Sequence, residues 1–248
     1  MRRKRDLDWD GCLNVRDLGG HPTGDGGATR FGSIVRADSI RQLTDEGWND
    51  AVDYGVRTVV DLRDDTERET DPPRELPVDV VHVPFFDQEP KVFEEVEAAA
   101  TAAPDYATAT RDVYLVFLEH FRANVAKAFS AVARAPDGTV VIHCVGGKDR
   151  TGLLTAFVLD VAGVDDGEIA ADYELSEQRL QPRHDRWLEE AETEAERERL
   201  RRIAATPAAA ILGTLEELRR RYGSVDAYLR GAGVTDDDLE AVRARLRA

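Results

Sequence analysis

The residues best suited to chemistry lie in one run, His143-Cys144-Val145-Gly146-Gly147-Lys148-Asp149-Arg150-Thr151-Gly152. A β-branched stretch, Thr139-Val140-Val141-Ile142, leads into it, and an apolar stretch from Leu153 to Val161 follows. A strand end, a glycine-bearing turn and a helix start make an anion cradle, because consecutive backbone N–H groups can turn inward. Val145, Gly146, Gly147 and Lys148 would supply those groups, and the two glycines permit close approach and unusual dihedrals. Arg150 offers a planar fork that fits two oxygens of a bound phosphate. Cys144 would sit beneath the phosphorus as a nucleophile, its thiolate favoured by the helix N-terminus, the loop donors and Arg150. Attack by sulfur would give a covalent intermediate that water then releases. Thr151 can donate a hydrogen bond to the thiolate as it departs, and His143 orients the loop through backbone contacts. No metal enters this scheme. A cysteine six positions before an arginine is a common coincidence; the flanking histidine, glycines, Lys-Asp and Thr-Gly make this one specific. Cys12 has no such setting and reads as a small packed residue.

The loop needs a sheet behind it. Val56 to Leu62, Val78 to Pro84 and Thr139 to His143 are short β-branched runs bounded by Gly, Pro or Asp, and each predicts a buried strand. Ser33 to Arg36 is a weaker fourth. Thr44 opens a helix that Gly55 closes, and Tyr106 to Ala133 reads as one longer helix with an apolar face. Alternation of strands and helices predicts an α/β fold with a mainly parallel central sheet flanked by helices. The C-terminal third adds a helical elaboration. In it Thr206-Pro207 predicts an N-cap with proline at the first helical position, Gly223 a stop, and Thr235 with Asp238 a capping box. Glu189 to Arg202 reads as a solvated helix laced with ion pairs, and Asp87 to Asp105 as a mobile connection. One domain spanning 1–248 is expected, with 87–110 and 176–205 as candidate lid segments.

Composition narrows the partners. The 248 residues carry 33 basic and 49 acidic side chains, a formal net charge of −16 that disfavours a nucleic-acid partner. Only Lys4, Lys91, Lys127 and Lys148 are lysines, so the rest of the basic residues are arginines. Two cysteines cannot build a disulfide framework, no apolar run follows the basic N-terminus, and no stretch is long enough to span a bilayer. A cytoplasmic location is expected, with export independent of a signal peptide left open. Nothing in the sequence fixes the oligomeric state.

His143 to Gly152 resembles the phosphate-binding loop of cysteine-dependent tyrosine phosphatases. It is especially similar to a bacterial and fungal branch whose loop reads H-C-x-x-G-K-D-R-T-G. Asn14-Val15-Arg16-Asp17-Leu18-Gly19-Gly20, Arg36-Ala37-Asp38-Ser39, Thr58 to Arg63, Val83-Pro84-Phe85, Asp172 to Ser176 and Tyr222 to Val225 match that branch in order. The resemblance implies a tyrosine-phosphatase-like fold, no cofactor, and hydrolysis of phosphomonoesters with release of inorganic phosphate. Substrates would be phosphorylated proteins, with dual or broad specificity, or alternatively phosphoinositides, toward which Lys148 adds charge. A silent phosphate-binding module is a further alternative. None of Trp9, Trp48 or Trp187 precedes Pro-Asp, so the better-known Trp-Pro-Asp acid is missing. The branch implies Asp149 as general acid; Asp87, on a plausible loop after Phe86, is the runner-up. Asp61 would orient loop partners. Arg16 and Arg63 either line the pocket mouth or tie the N-terminal segment to the sheet.

Overall fold

A computed structural model describes residues 4–71 and 78–247. Five strands, β1 (Arg16–Asp17), β2 (Ile34–Ala37), β3 (Val56–Asp61), β4 (Asp79–His82) and β5 (Thr139–His143), form one sheet in the order β1-β2-β5-β3-β4. All neighbours are parallel except the β1–β2 pair. Strand β5 lies in the middle, where β-branched residues are covered on both faces. Its last residue, His143, is level with Ala37 of β2 and Asp61 of β3. The run that follows therefore leaves the sheet at its carboxyl edge, where open α/β sheets place ligands.

Among the described residues eleven α-helices surround the sheet: α1 (Asp45–Tyr54), α2 (Asp65–Thr70), α3 (Pro90–Ala102), α4 (Tyr106–His120), α5 (Arg122–Arg134), α6 (Arg150–Val161), α7 (Asp166–Glu190), α8 (Glu194–Ala204), α9 (Ala208–Tyr222), α10 (Val225–Ala232) and α11 (Asp236–Leu246). Helix α6 is buried around its circumference from Thr151 to Leu159, as expected of a helix apolar on every side. It packs within a core that includes Val140, Ile142, Phe129 and Phe157. A second cluster on the opposite face joins Trp9, Trp48, Val35, Val59 and Val141. Among the described residues no helix is long and apolar enough to cross a membrane.

Several expectations need correction. Strand β4 is an open sheet edge rather than a buried strand, with Val80 39% and Val81 38% exposed. The predicted helix from Tyr106 to Ala133 breaks at Phe121 (φ −107°, ψ 30°), which caps α4 through its N–H to Phe117 O. That break lets Phe121 join Phe117 and Val92 in a cluster apart from the main core. The segment read as a connection contains α3, started by Pro90 at the first helical position. The run from Glu189 to Arg202 is split between α7 and α8, with Thr193 accepting from Glu196 N as the new N-cap. Pro207, not Thr206, is the N-cap of α9. The Thr206 hydroxyl serves α7 instead, donating to Glu174 O at 3.1 Å and accepting from Glu177 N at 3.1 Å. Thr235 does cap α11, yet the Asp238 carboxylate is taken by Ser130 and Arg134.

Candidate active site

The loop between β5 and α6 is fastened from its outer side. Val145 O accepts from Ser39 N at 3.0 Å and from Arg183 at 3.4 Å. Asn14 Nδ2 donates to Gly146 O at 3.0 Å and to Gly147 O at 3.2 Å, and Arg36 Nη2 donates to Gly147 O at 2.6 Å. In a trans peptide the N–H points opposite to the carbonyl. Holding those carbonyls outward therefore turns the N–H groups of Gly146, Gly147 and Lys148 to the inner side. None of the three donates to a described protein group. Three inward donors in a row make a concavity of the kind that can take an anion, as the strand–turn–helix pattern predicts.

The two glycines differ. Gly147 has φ +66°, and a Cβ there would lie 2.3 Å from Ala37 O. A Cβ on Gly146 would meet only ordinary contacts at 3.8 Å, and its φ is not positive. Only Gly147 is required by the backbone.

The fasteners form a buried ionic network. Asp172 of α7 receives Arg16 Nε at 2.7 Å and Arg36 Nη1 at 2.5 Å, and Arg16 Nη1 also donates to Asn14 Oδ1 at 2.5 Å. Burial opposes the charge on Asp172, but the two guanidiniums win and hold its carboxyl well below the usual range. Burial, with Arg36 alongside, pulls Arg16 down to about 10. Arg16 thus ties the N-terminal segment to the sheet and α7 and does not line the pocket. Arg63 is buried as well: it pairs with Asp61 at 2.9 Å and Asp71 at 2.9 Å, away from the pocket wall. Asp61 sits 3.5 Å from His143 Nε2, while His143 Nδ1 lies 3.1 Å from Cys144 O. Burial keeps that imidazole below its ordinary pKa and hence neutral.

Cys144 directly follows β5 and is 2% exposed. The Thr151 hydroxyl is buried with no hydrogen-bond partner among the described residues. Arg150, the first residue of α6, is held end-on by Glu67 of α2, with Nη2 donating to Oε1 at 2.7 Å and Nη1 to Oε2. Burial works against its charge, but the Glu67 hydrogen bonds and the Cys144 sulfur raise its pKa further. Glu67 Oε2 also accepts from Asp64 N at 2.9 Å, completing a capping box at the start of α2.

Asp149 occupies the N-cap position of α6 but makes no capping bond. Its Oδ1 instead accepts from Tyr114 at 2.6 Å and from Lys148 Nζ at 3.2 Å. Both charged residues, with Arg150, border a cavity of about 440 Å³ whose apolar wall includes Phe86, Phe93, Val113 and Phe117. Asp87 lines the same cavity, accepting among the described residues from local backbone alone, and Ala100 of α3 and Ile203 of α8 border it too. A larger cavity of about 770 Å³ beside β4 and α5 is lined by neither cysteine nor histidine. Cys12 is half-buried, donating to Ser39 O at 3.5 Å, and burial with Asp38 pushes its thiol pKa far upward. The described residues hold no cluster of metal-ligating side chains.

Sequence reasoning missed Glu67, Tyr114, Arg36 and Asp172 as parts of the site. The Asp64-Asp65-Thr66-Glu67 capping-box spacing was the one signal for Glu67. Arg36 and Asp172 were visible only as members of ordered blocks with no assigned task.

A family model described as the tyrosine phosphatase family matches residues 7–248. A tyrosine-protein phosphatase of Nostoc commune is 28% identical over 86% of this chain and 74% of its own length. The triple specificity protein phosphatase PtpB of Mycobacterium tuberculosis is 28% identical over 95% of this chain and 97% of its own. The residues matched by the family model include both the loop and the blocks that fasten it, and the chain belongs to the tyrosine phosphatase family.

Proposed function

We propose that the protein hydrolyses phosphotyrosine in protein substrates, with reach to phosphoserine and phosphothreonine, by way of a phosphocysteine intermediate. The observation that carries this reading is the set of inward N–H groups of Gly146, Gly147 and Lys148, next to Cys144 and Arg150. In the first step Cys144 Sγ bonds to phosphorus while the P–O bond to the leaving group breaks, and Asp149 gives that oxygen its proton. In the second step water attacks phosphorus, the S–P bond breaks, and Asp149 takes the water's proton. Cys144 thiolate and inorganic phosphate result. Arg150 and the loop donors hold the equatorial oxygens throughout. Asp149 serves better than Asp87 because it adjoins Arg150 in the chain, and its Oδ1 is held by Tyr114 and Lys148.

The apolar wall suits an aromatic leaving group such as a tyrosine ring. A polyphosphorylated inositol ring would meet Asp64, Glu67, Asp87 and Asp149 against Lys148, Arg150 and Arg202, which favours the protein substrate over the lipid. Helices α3 and α8 form a lid over this cavity, in a single domain that acts in the cytoplasm and needs no cofactor.

The test is phosphate release from a phosphotyrosine peptide, a phosphothreonine peptide and a phosphoinositide, by the native protein and by Cys144→Ser. The peptides should turn over faster than the lipid, and the substitution should lower turnover by about four orders of magnitude or more. Undiminished hydrolysis in Cys144→Ser would sink the mechanism, and a faster lipid would move the substrate class.

A further inference from the structure

We propose that Tyr114, backed by Tyr173, is the positioning residue that decides which oxygen of Asp149 carries the catalytic proton; this rests on the reading of Asp149 as the general acid. The Tyr114 phenol, 3% exposed, donates to Asp149 Oδ1 at 2.6 Å. Lys148 Nζ approaches the same oxygen at 3.2 Å. No described group donates to Oδ2. A neutral carboxyl group has one carbonyl oxygen, which accepts, and one hydroxyl, which donates. Two donors on Oδ1 make it the carbonyl, so the proton resides on Oδ2. Proton transfer to the leaving oxygen converts Oδ2 to an anion without disturbing either bond to Oδ1. The same Oδ2 then collects the proton from water in the second step.

Tyr173 makes the arrangement rigid. Its hydroxyl is 2.7 Å from the Tyr114 hydroxyl, and the two rings stand edge-on at 89°. Tyr114 has spent its one proton on Asp149, so Tyr173 must be the donor to Tyr114. Both phenols remain protonated, chiefly because burial raises their pKa values, and Asp149 adds to this once it has given up its proton. The loop motif itself makes room: a Cβ at Gly152 would lie 3.0 Å from the Tyr173 ring. The final glycine of the motif thus serves the acid rather than the phosphate. The cap position agrees, since Asp149 gives no side-chain bond to its own helix.

The experiment compares Tyr114→Phe, which keeps the packed ring, with Asp149→Asn and the double variant on a series of aryl phosphates. Phenyl phosphate needs an acid; 2,4-dinitrophenyl phosphate leaves without one. For Asp149→Asn, kcat/KM should drop about 100-fold on phenyl phosphate and little on the dinitrophenyl ester. Tyr114→Phe should show the same leaving-group dependence at about tenfold, with KM nearly unchanged. Because Tyr114 acts through Asp149, the double variant should be no worse than Asp149→Asn alone. A Tyr114→Phe loss equal on both esters, or one that adds to the Asp149→Asn loss, overturns the proposal. A flat Asp149→Asn response removes the acid reading itself, and the proposal with it.

Discussion

At Gly147 the backbone sits at φ +66°, with the Ala37 carbonyl where a side chain would begin. An alanine there would carry about 1–2 kcal/mol of left-handed strain before the clash is counted. The loop would shift to relieve both, and the Lys148 N–H would swing off line. Gly147→Ala is therefore expected to lower kcat/KM about 100-fold with a modest change in melting temperature. Gly146→Ala, whose Cβ has room, should lose no more than a fewfold; equal losses in the two variants would contradict this account. Before the structure, the two glycines looked alike, because spacing reveals a turn and not which of its residues has positive φ. Cys144 and Arg150 stood out as candidates, since the residues that mark them lie in one continuous run. Glu67 and Tyr114 were not, because they meet Arg150 and Asp149 across 83 and 35 positions, a distance no local pattern crosses.

Helix α2 shows how one short element can do two jobs. Its capping box turns Glu67 back toward Asp64 N, and the same carboxylate meets the end-on edge of Arg150. A guanidinium has a second forked edge, Nε with Nη2, and Nε bonds to no described group. Glu67 thereby fixes one edge, and the proposed reaction would use the other for oxyanion oxygens. Glu67→Gln keeps a capping-box side chain but weakens the hold on Arg150. We expect kcat/KM to fall about tenfold with the melting temperature nearly unchanged; an increase would mean that the carboxylate competes with substrate instead. Most elements could be anticipated from β-branched runs and from caps such as Thr44 and Gly55. The break at Phe121 could not, because its apolar pattern continues unbroken and only the separate aromatic cluster explains the turn.

Over the whole molecule, a net charge of −16 coexists with buried positive charge behind the loop. Arg16, Arg36 and Arg63 are each no more than 1% exposed. Asp172 is the counter-ion that makes two of them tolerable. Asp172→Ala should cost about 3–5 kcal/mol, because it strands two desolvated guanidiniums. The native carboxyls of Asp172 and Asp61 titrate below their unfolded values, so their contribution is complete above about pH 4 and is lost as pH falls through the folded values. Urea titrations should show native stability dropping below about pH 4, and a shallower acid slope in Asp172→Ala. An unchanged slope would assign acid sensitivity to other carboxylates. The mainly parallel sheet could be anticipated from alternating strands and helices. Strand β1, with two residues, is too short to leave a pattern.

Because Asn14, Arg36 and Ser39 hold the loop carbonyls, the cradle's curvature is set by the fold. A rigid concavity of N–H groups measures geometry as well as charge. Anions of equal charge are then sorted by shape: a tetrahedral oxyanion can reach every donor at once, while a planar carboxylate or nitrate satisfies only part of the ring. Carboxylates, including the many acidic side chains of the protein itself, would therefore compete poorly for the cradle of the proposed site.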